Sequence, residues 1–556
     1  MKKNQTFNVA SCLPRIAEKM PTKRAVVFSQ RRDSTGGSAL THLTFSQLNE
    51  ESSIYASGFH ELGIKKGQRV LLMVKPGPEF ITLTFALFKM GAIPILIDPG
   101  MGLLNLLKCI KKVEPYALIA IPIVHFIKAF RRKNFSSIKC SVTVGRKLFW
   151  EGTTLKAVRE KGQSDFPPVE TKKHDPAAIL FTSGSTGIPK GVLYQHGMFM
   201  AQVEHIKSLY GICETDVDMP AFPLFALFST AIGMTCVIPD MNPSKPASVN
   251  PKKIVSAIEK YGVTTSFGSP AIWDRVGEYC VKHSLRLPSI KRILMAGAPV
   301  PEYVLKRFKN ILSENADTFT PYGATEALPI ASISGTERLK TEAKSRAGAG
   351  TCVGKPLAGI TIKIIKITDG PIPEWNKNLV LKRDEKGEIV VKGDIVTREY
   401  FRMKEQTALA KISDGDTVWH RMGDTGYFDE NGRLWFCGRK DQRVITKNNI
   451  LFTIPCEAIF NRHPDVFRSA LVGIGPKNEQ RPIIIIEPTK GEMPRFLSRK
   501  LFVKELLEIS RRFEHTEDIT GVLFHRSFPV DIRHNVKIRR EKLAQWAERK
   551  IKNRRQ

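Results

Sequence analysis

The sequence predicts an α/β protein: a large N-terminal region of stacked α/β subdomains with a small β-barrel-like subdomain, followed by a smaller, mobile α+β C-terminal domain. Three observations predict it. Helix-then-strand units recur through the N-terminal part, a Val/Ile/Thr-rich stretch follows, and a fresh alternation begins after Arg439. From Phe45, the string FSQLNEESSIYASGFHELGIKKGQRVLLMVKP reads as an amphipathic helix capped by Ser46 that ends near Gly63 and leads into an apolar strand. The same unit returns at Pro78 to Ile97, around Leu106 to Ile121 and at Ile254 to Ser266, with another short strand at Pro288 to Met295. Helices alternating with short buried strands imply largely parallel sheets. Between Gly359 and Tyr400, runs such as ITIKIIKI and GEIVVKG separated by turn residues predict a mainly β subdomain that a small barrel would fit. Beyond Arg439, a helix at Cys456 to Asn461 and strands at Ser469 to Ile474 and Pro482 to Glu487 predict a separate domain, dividing the chain into 1–438 and 439–556.

Composition narrows the partners. The 556 residues are 42% hydrophobic and 25% charged, enough for more than one packed core. Lys and Arg outnumber Asp and Glu by 86 to 54, so the net charge of +32 favours anionic partners. The basic residues are spread along the chain without a zinc-finger, RNP or basic-zipper pattern, and no nucleic-acid partner is expected. Nine scattered cysteines without a CxxC pair indicate reduced thiols rather than a disulfide framework or zinc ribbon. The N-terminus lacks an apolar signal region, and Phe80 to Ile97 is interrupted by Lys89, Gly91 and Pro94, so a cytoplasmic protein without a transmembrane helix is expected. Ile121 to Phe135, IPIVHFIKAFRRKNF, reads first as a partly buried helix with a solvated basic end, and second as a peripheral contact for an anionic membrane or an acyl chain. The C-terminal WAERKIKNRRQ reads as a solvated tail.

The most informative segment is ILFTSGSTGIPKGV, Ile179 to Val192. An apolar strand opens into a loop of Thr182, Ser183, Gly184, Ser185, Thr186 and Gly187, with Lys190 beyond it. Small residues let backbone N–H groups approach phosphate oxygens, hydroxyls donate further hydrogen bonds, and the lysine supplies positive charge. Pro189 and Gly191 exclude a Walker loop, and by composition alone a surface turn fits equally well.

The segment resembles the phosphate loop [ST]SGTTGxPKG of the adenylate-forming superfamily of acyl- and aryl-CoA synthetases, peptide-synthetase adenylation domains and luciferases. The likeness continues in order from about Phe45 to Leu543. It implies ATP and Mg²⁺ as cofactors and acyl-AMP as the product of the first step. TPYGATEALPI is similar to the family's YGxTE element, which implies that Tyr322 and Gly323 meet adenine, Thr325 the α-phosphate and Glu326 Mg²⁺. Gly297, Ala298 and Pro299 match a turn that lines the adenine pocket. MGDTGYFDENGRLWFCGRKDQ resembles TGDxGxxDxxGxxxxxGRxxD, implying that Asp424 binds the ribose hydroxyls, Arg439 ribose or phosphate, and that Asp441 is the inter-domain hinge. HNVKIRREKL resembles SGKIxRxxL and places Lys537 at the adenylation lysine, bridging carboxylate and α-phosphate oxygens while Lys190 meets the departing pyrophosphate.

Departures from the general pattern bear on the second step. Ala226 stands where PLFH has histidine, and Lys447, Asn448 and Asn449 fill a Gly-rich turn beside the family's pantetheine channel, which weighs against CoA use. FPLFALF, YGATEALP, FTIPCEA and FPVDIRHNVKI resemble most the olefin β-lactone synthetases of bacterial hydrocarbon biosynthesis. That resemblance implies a long-chain 2-alkyl-3-hydroxy acid whose hydroxyl closes onto its own activated carboxyl, and other enzymes of a hydrocarbon pathway as partners. For His196 and His534 the first reading is a structural or phosphate-contact role and the second the base for closure, and Phe222, Phe225, Leu227 and Phe228 read first as core packing and second as an acyl wall. The rival readings are a long-chain fatty acyl-CoA ligase and a non-catalytic basic homologue that binds lipid or nucleic acid.

Overall fold

The computed structural model describes residues 7–32, 38–182, 189–530 and 538–553. Two large sheets and two small ones organise the chain. In the first, the strands Arg69–Met73, Ile93–Leu96, Ala117–Ala120, Cys140–Thr143 and Pro176–Thr182 are parallel, and Lys190–Gln195 returns antiparallel to Pro176–Thr182. Each parallel step needs a crossover, and the helices Pro78–Lys89 and Leu103–Val113 supply two of them. Parallel strands carry their loops and ligands at their C-terminal ends, and the phosphate segment leaves the sheet at that edge, at Thr182.

The helix predicted from Phe45 spans Phe45–Glu61, but its cap is Thr44 rather than Ser46. Thr44 Oγ1 accepts from the Gln47 N–H at 3.2 Å while Gln47 Oε1 accepts from the Thr44 N–H at 2.9 Å. Glutamine three residues after Thr44 completes this reciprocal box, whereas the residue three after Ser46 is Asn49. Phe80 to Ile97 divides as read into the buried helix Pro78–Lys89 and the strand Ile93–Leu96. Among the described residues no helix is long and apolar enough to cross a membrane. Lys89 is buried at the end of its helix, its ammonium donating to Asn49 O and Asn49 Oδ1 at 2.8 Å and to Ser53 Oγ at 2.6 Å.

In the second sheet, Thr265–Gly268, Arg292–Met295 and Asp317–Ala324 run parallel, then Ala327–Ser334 folds back antiparallel. The path continues through Thr351–Pro356, Leu434–Arg439, Thr417–Phe428 and Gly387–Lys392 to Thr361–Ile365. The β texture expected from Gly359 to Tyr400 therefore extends to Arg439. Among the described residues its strand path runs open and joins the large sheet through Thr351–Pro356.

From Val444 onward, two apolar cores draw on residues of the C-terminal block alone. Val466–Ile474 and Arg481–Pro488 form an antiparallel pair joined by the parallel strand Gly521–Phe524. The helices Thr453–Phe460, Phe496–Ser510 and Arg540–Lys552 accompany them.

Candidate active site

The hairpin of Asp317–Ala324 and Ala327–Ser334 carries Thr325 and Glu326 at its tip. The strands approach closely there: a Cβ on Gly323 would sit 2.5 Å from Ala327 O, so only glycine fits. Glu326 Oε1 accepts a 2.6 Å hydrogen bond from the Tyr400 hydroxyl, and its backbone oxygen accepts from Thr397 N at 2.9 Å and Thr397 Oγ1 at 3.1 Å. Tyr194 donates to the Thr325 carbonyl at 2.6 Å. The tip is thereby held on several sides.

Lys190 reaches the same place from the first sheet. It pairs in register with Thr182 across the loop, and its Nζ stands 5.0 Å from the Tyr400 ring centroid. Pairing of the two segments explains this approach, since Phe401 N donates to Gly191 O at 2.8 Å and Val192 bridges Tyr400. Ser183, Gly184, Ser185, Thr186 and Gly187 lie outside the described residues, as do His534 and Lys537.

Asp424 and Arg439 face each other on neighbouring strands, with Arg439 Nη1 2.7 Å from Asp424 Oδ1. Tyr322 donates to Asp424 Oδ2 at 2.7 Å and lies against Phe436, ring centroids 5.9 Å apart. Burial raises the Asp424 pKa, opposed by Arg439 and the Tyr322 hydroxyl, while burial and then Asp424 push Tyr322 well up. Leu294 pairs with Phe319, so the turn of Gly297, Ala298 and Pro299 that follows Arg292–Met295 leaves the sheet at the end where the neighbouring strand carries Tyr322, Gly297 with φ of 91°.

Several groups at this site carried no motif. Lys411 is buried, donates to Thr397 O and Thr397 Oγ1, and burial lowers its pKa to about 7 against the pull of Glu326. Burial also drives His420 well down, helped by the positive charges of Lys411, Lys190 and Arg439. His420 is therefore within electrostatic reach of both the phosphate-loop lysine and the ribose-side arginine. Tyr400, Tyr194 and Thr397 lie 74, 131 and 71 residues from the tip residues they hold.

His196 is elsewhere. It is buried, its Nδ1 accepts from Val9 N at 3.2 Å, its ring packs on Phe88, and burial lowers its pKa to about 4. These are the marks of a core histidine, so it is not the base. Lys447, Asn448 and Asn449 form an exposed turn closed by a 2.9 Å bond from Thr446 N to Asn449 O.

Behind the hairpin lies a mostly apolar cavity lined by Phe225, Phe228, Ile206, Phe267, Pro321 and Leu328, among others. Of the expected acyl wall, Phe225 and Phe228 line it. Phe222 is 43% exposed and Leu227 is packed into the main core, so neither does. Three buried polar atoms of lining residues have no hydrogen-bond partner among the described residues: Gln202 Oε1, Asp218 Oδ1 and Thr265 Oγ1. Gln202 is fixed by its Nε2, which donates to Leu328 O at 2.8 Å.

These residues fit a nucleotide and a hard cation. An aromatic ring beside a glycine turn suits a purine, and a carboxylate between tyrosine and arginine suits a diol. Glu326 spends Oε1 on Tyr400, and its carboxylate is a hard oxygen donor of the kind Mg²⁺ takes. Among the described residues no cluster of three or more His, Cys, Asp or Glu could hold a metal ion.

A family model described as AMP-binding enzyme matches residues 13–401. An olefin beta-lactone synthetase from Stenotrophomonas maltophilia (strain K279a) is 44% identical over 99% of this chain and 100% of its own. One from Xanthomonas campestris pv. campestris is 43% identical over 97% of each chain. Among solved structures, the amide bond synthetase McbA from Marinactinospora thermotolerans shares the fold with a TM-score of 0.77 and 22% identity, covering 97% of this chain and 99% of that one.

Proposed function

This chain belongs to the AMP-binding enzyme family and is an adenylate-forming ligase or synthetase, and on that premise we propose that it activates a long-chain 3-hydroxy acid as acyl-AMP and closes it to a β-lactone. The observation that carries the reading is the likeness to two olefin beta-lactone synthetases, at 43% and 44% identity over nearly the whole chain. The apolar cavity behind the Thr325–Glu326 tip supports it, since an acyl chain needs such a wall next to the reacting carboxyl.

In the first step the substrate carboxylate attacks the α-phosphorus of ATP, a new O–P bond forms, and the bond to pyrophosphate breaks. Tyr322, Gly297, Ala298 and Pro299 enclose adenine, and Asp424 accepts hydrogen bonds from the ribose hydroxyls with Arg439 beside it. Lys190 offsets charge on the departing pyrophosphate, and Lys537 bridges the two anions as they react. Glu326 would hold Mg²⁺, which would neutralise phosphate charge when bound. The C-terminal block turns about Asp441 to deliver Lys537.

In the second step the 3-hydroxyl oxygen attacks the acyl carbon, the ring C–O bond forms, AMP leaves, and the hydroxyl proton is lost. An intramolecular nucleophile gains a large effective concentration, which helps offset ring strain. Gln202 Oε1 is a fixed acceptor with no partner among the described residues, and a substrate hydroxyl donating to it is held in place without being deprotonated by it. The exposed side chains of the Lys447–Asn449 turn weigh against a thiol channel.

The test is product identification after incubation with ATP, Mg²⁺ and a racemic 2-alkyl-3-hydroxy acid, with and without CoA. Lactone and AMP without CoA are the expected products. Thioester as the main product would establish the acyl-CoA ligase instead, and absence of pyrophosphate release would leave a non-catalytic homologue.

A further inference from the structure

We infer that the helix Pro122–Phe130, together with the loop following Thr143, forms a docking surface for an anionic lipid bilayer. The inner side of the helix is firmly seated. Val124 and His125 are buried, His125 stacks on Trp150 with ring centroids 5.5 Å apart, and Trp150 Nε1 donates to Thr143 Oγ1 at 2.9 Å. This clamps the loop to the helix. The outer side is apolar and open: Phe130 and Phe149 are each 69% exposed and Phe126 44%. Phe126 lies 4.7 Å from Phe130 and 6.4 Å from Phe149 between ring centroids, so the three rings form one patch rather than scattered exposures. Ile123 and Leu148, 57% and 53% exposed, flank it.

A contiguous patch of large apolar side chains on a rigid element marks an interaction surface. Its rim says what covers it. Arg131, Arg132 and Lys133 follow Phe130 directly, and Arg146 precedes the loop aromatics; all four are exposed and enter no ion pair among the described residues. Aromatic rings that enter the acyl boundary beneath a ring of unpaired cations match an anionic bilayer in both depth and charge. A second copy of this chain matches less well, because a two-fold contact would set these cations against their own kind.

The experiment is co-sedimentation of the full chain with vesicles of phosphatidylcholine alone or with about one quarter phosphatidylglycerol. A net charge of +32 attracts anionic vesicles by itself, so the decisive comparison removes rings and keeps charge. The double variant Phe130→Ser, Phe149→Ser is expected to partition onto anionic vesicles about tenfold less than wild type, with its thermal transition and acid-dependent pyrophosphate release unchanged. Separately, Phe130→Trp is expected to lose fluorescence on vesicles with brominated acyl chains. Equal partition of the serine variant, or no quenching of the tryptophan, overturns the assignment. So does a concentration-dependent dimer without lipid that the serine substitutions abolish, or an acidic protein that competes for the patch when vesicles do not.

Discussion

Glu326 owes its placement to Tyr400, 74 residues further along the chain, and their 2.6 Å bond orients the carboxylate proposed to meet the metal. Tyr400→Phe keeps the ring beside Lys190 but frees Glu326. The expected outcome is a fall in kcat for pyrophosphate release of about tenfold and a higher Mg²⁺ requirement, with the melting temperature little changed. Titrating Mg²⁺ against initial rate checks this. Gln202→Leu should leave pyrophosphate release near wild type and lower the ratio of lactone to hydrolysed acid about tenfold, since only ring closure uses the free amide oxygen. Lys89 supplies a pH signature. Burial lowers its pKa from 10.5 to about 7, so between those values the unfolded chain holds a proton that the folded chain has released. Stability due to this group therefore rises with pH from about 7 to 10.5 and is flat below. Lys89→Met should lack that slope in urea midpoints measured across the window. At this scale, contiguous motifs pick out residues that the fold brings together in two groups: Lys190 and Glu326 meet at Tyr400, and Tyr322 and Arg439 meet at Asp424. Tyr400, Lys411 and His420 were not, because they act through tertiary contacts and bear no local pattern of their own.

Elements were legible where period and punctuation agreed, as in Pro78–Lys89 followed by Ile93–Leu96. Where two hydroxyls competed to cap one helix, the choice rested on which had glutamine three residues on, a detail of the box rather than of composition. The β region was legible in kind but not in path: edge pairing with the distant strand Thr351–Pro356 makes it part of a long sheet, and no local signal encodes that partner. Gly438 shows how narrowly one element end is specified. Its φ is 124°, a Cβ there would lie 2.3 Å from Thr453 Oγ1, and its carbonyl accepts from Thr425 Oγ1 at 3.0 Å. Gly438→Ala combines backbone strain with overpacking and is expected to cost about 2–3 kcal/mol, read from urea unfolding. Because Arg439 follows directly, the KM for ATP should also rise, whereas adding Thr453→Ser, which keeps the crowding oxygen, should not restore it.

Over the whole molecule, the proposed reaction asks the C-terminal block to stay attached while moving. Lys440 donates to Thr368 O and pairs with Glu388, both at 3.0 Å, so the chain just before Arg443 is pinned to the β region. Asp369 then takes Arg443 at 2.8 Å and, from the C-terminal block, Lys477 at 2.7 Å. These two cations hold its carboxyl down at about 2, with Lys477 the larger influence. The folded pKa lies below the usual carboxylate value, so this contribution is present above about pH 4 and is lost as pH falls toward 2. At neutral pH the contact is charged and intact. Rotation about the proposed hinge at Asp441 must part Lys477 from Asp369, whereas Lys440, on the N-terminal side of the hinge, need not move. Asp369 is 43% exposed and Lys477 67%, so solvent and salt screen the pair and its hold is weak, as a reversible latch requires. Asp369→Asn should therefore leave global unfolding almost unchanged while speeding tryptic cleavage between Arg439 and Arg443 two- to threefold. Molar salt should speed cleavage of wild type and barely affect the variant. Equal cleavage rates for both proteins in low salt would mean that the pair does not restrain the block.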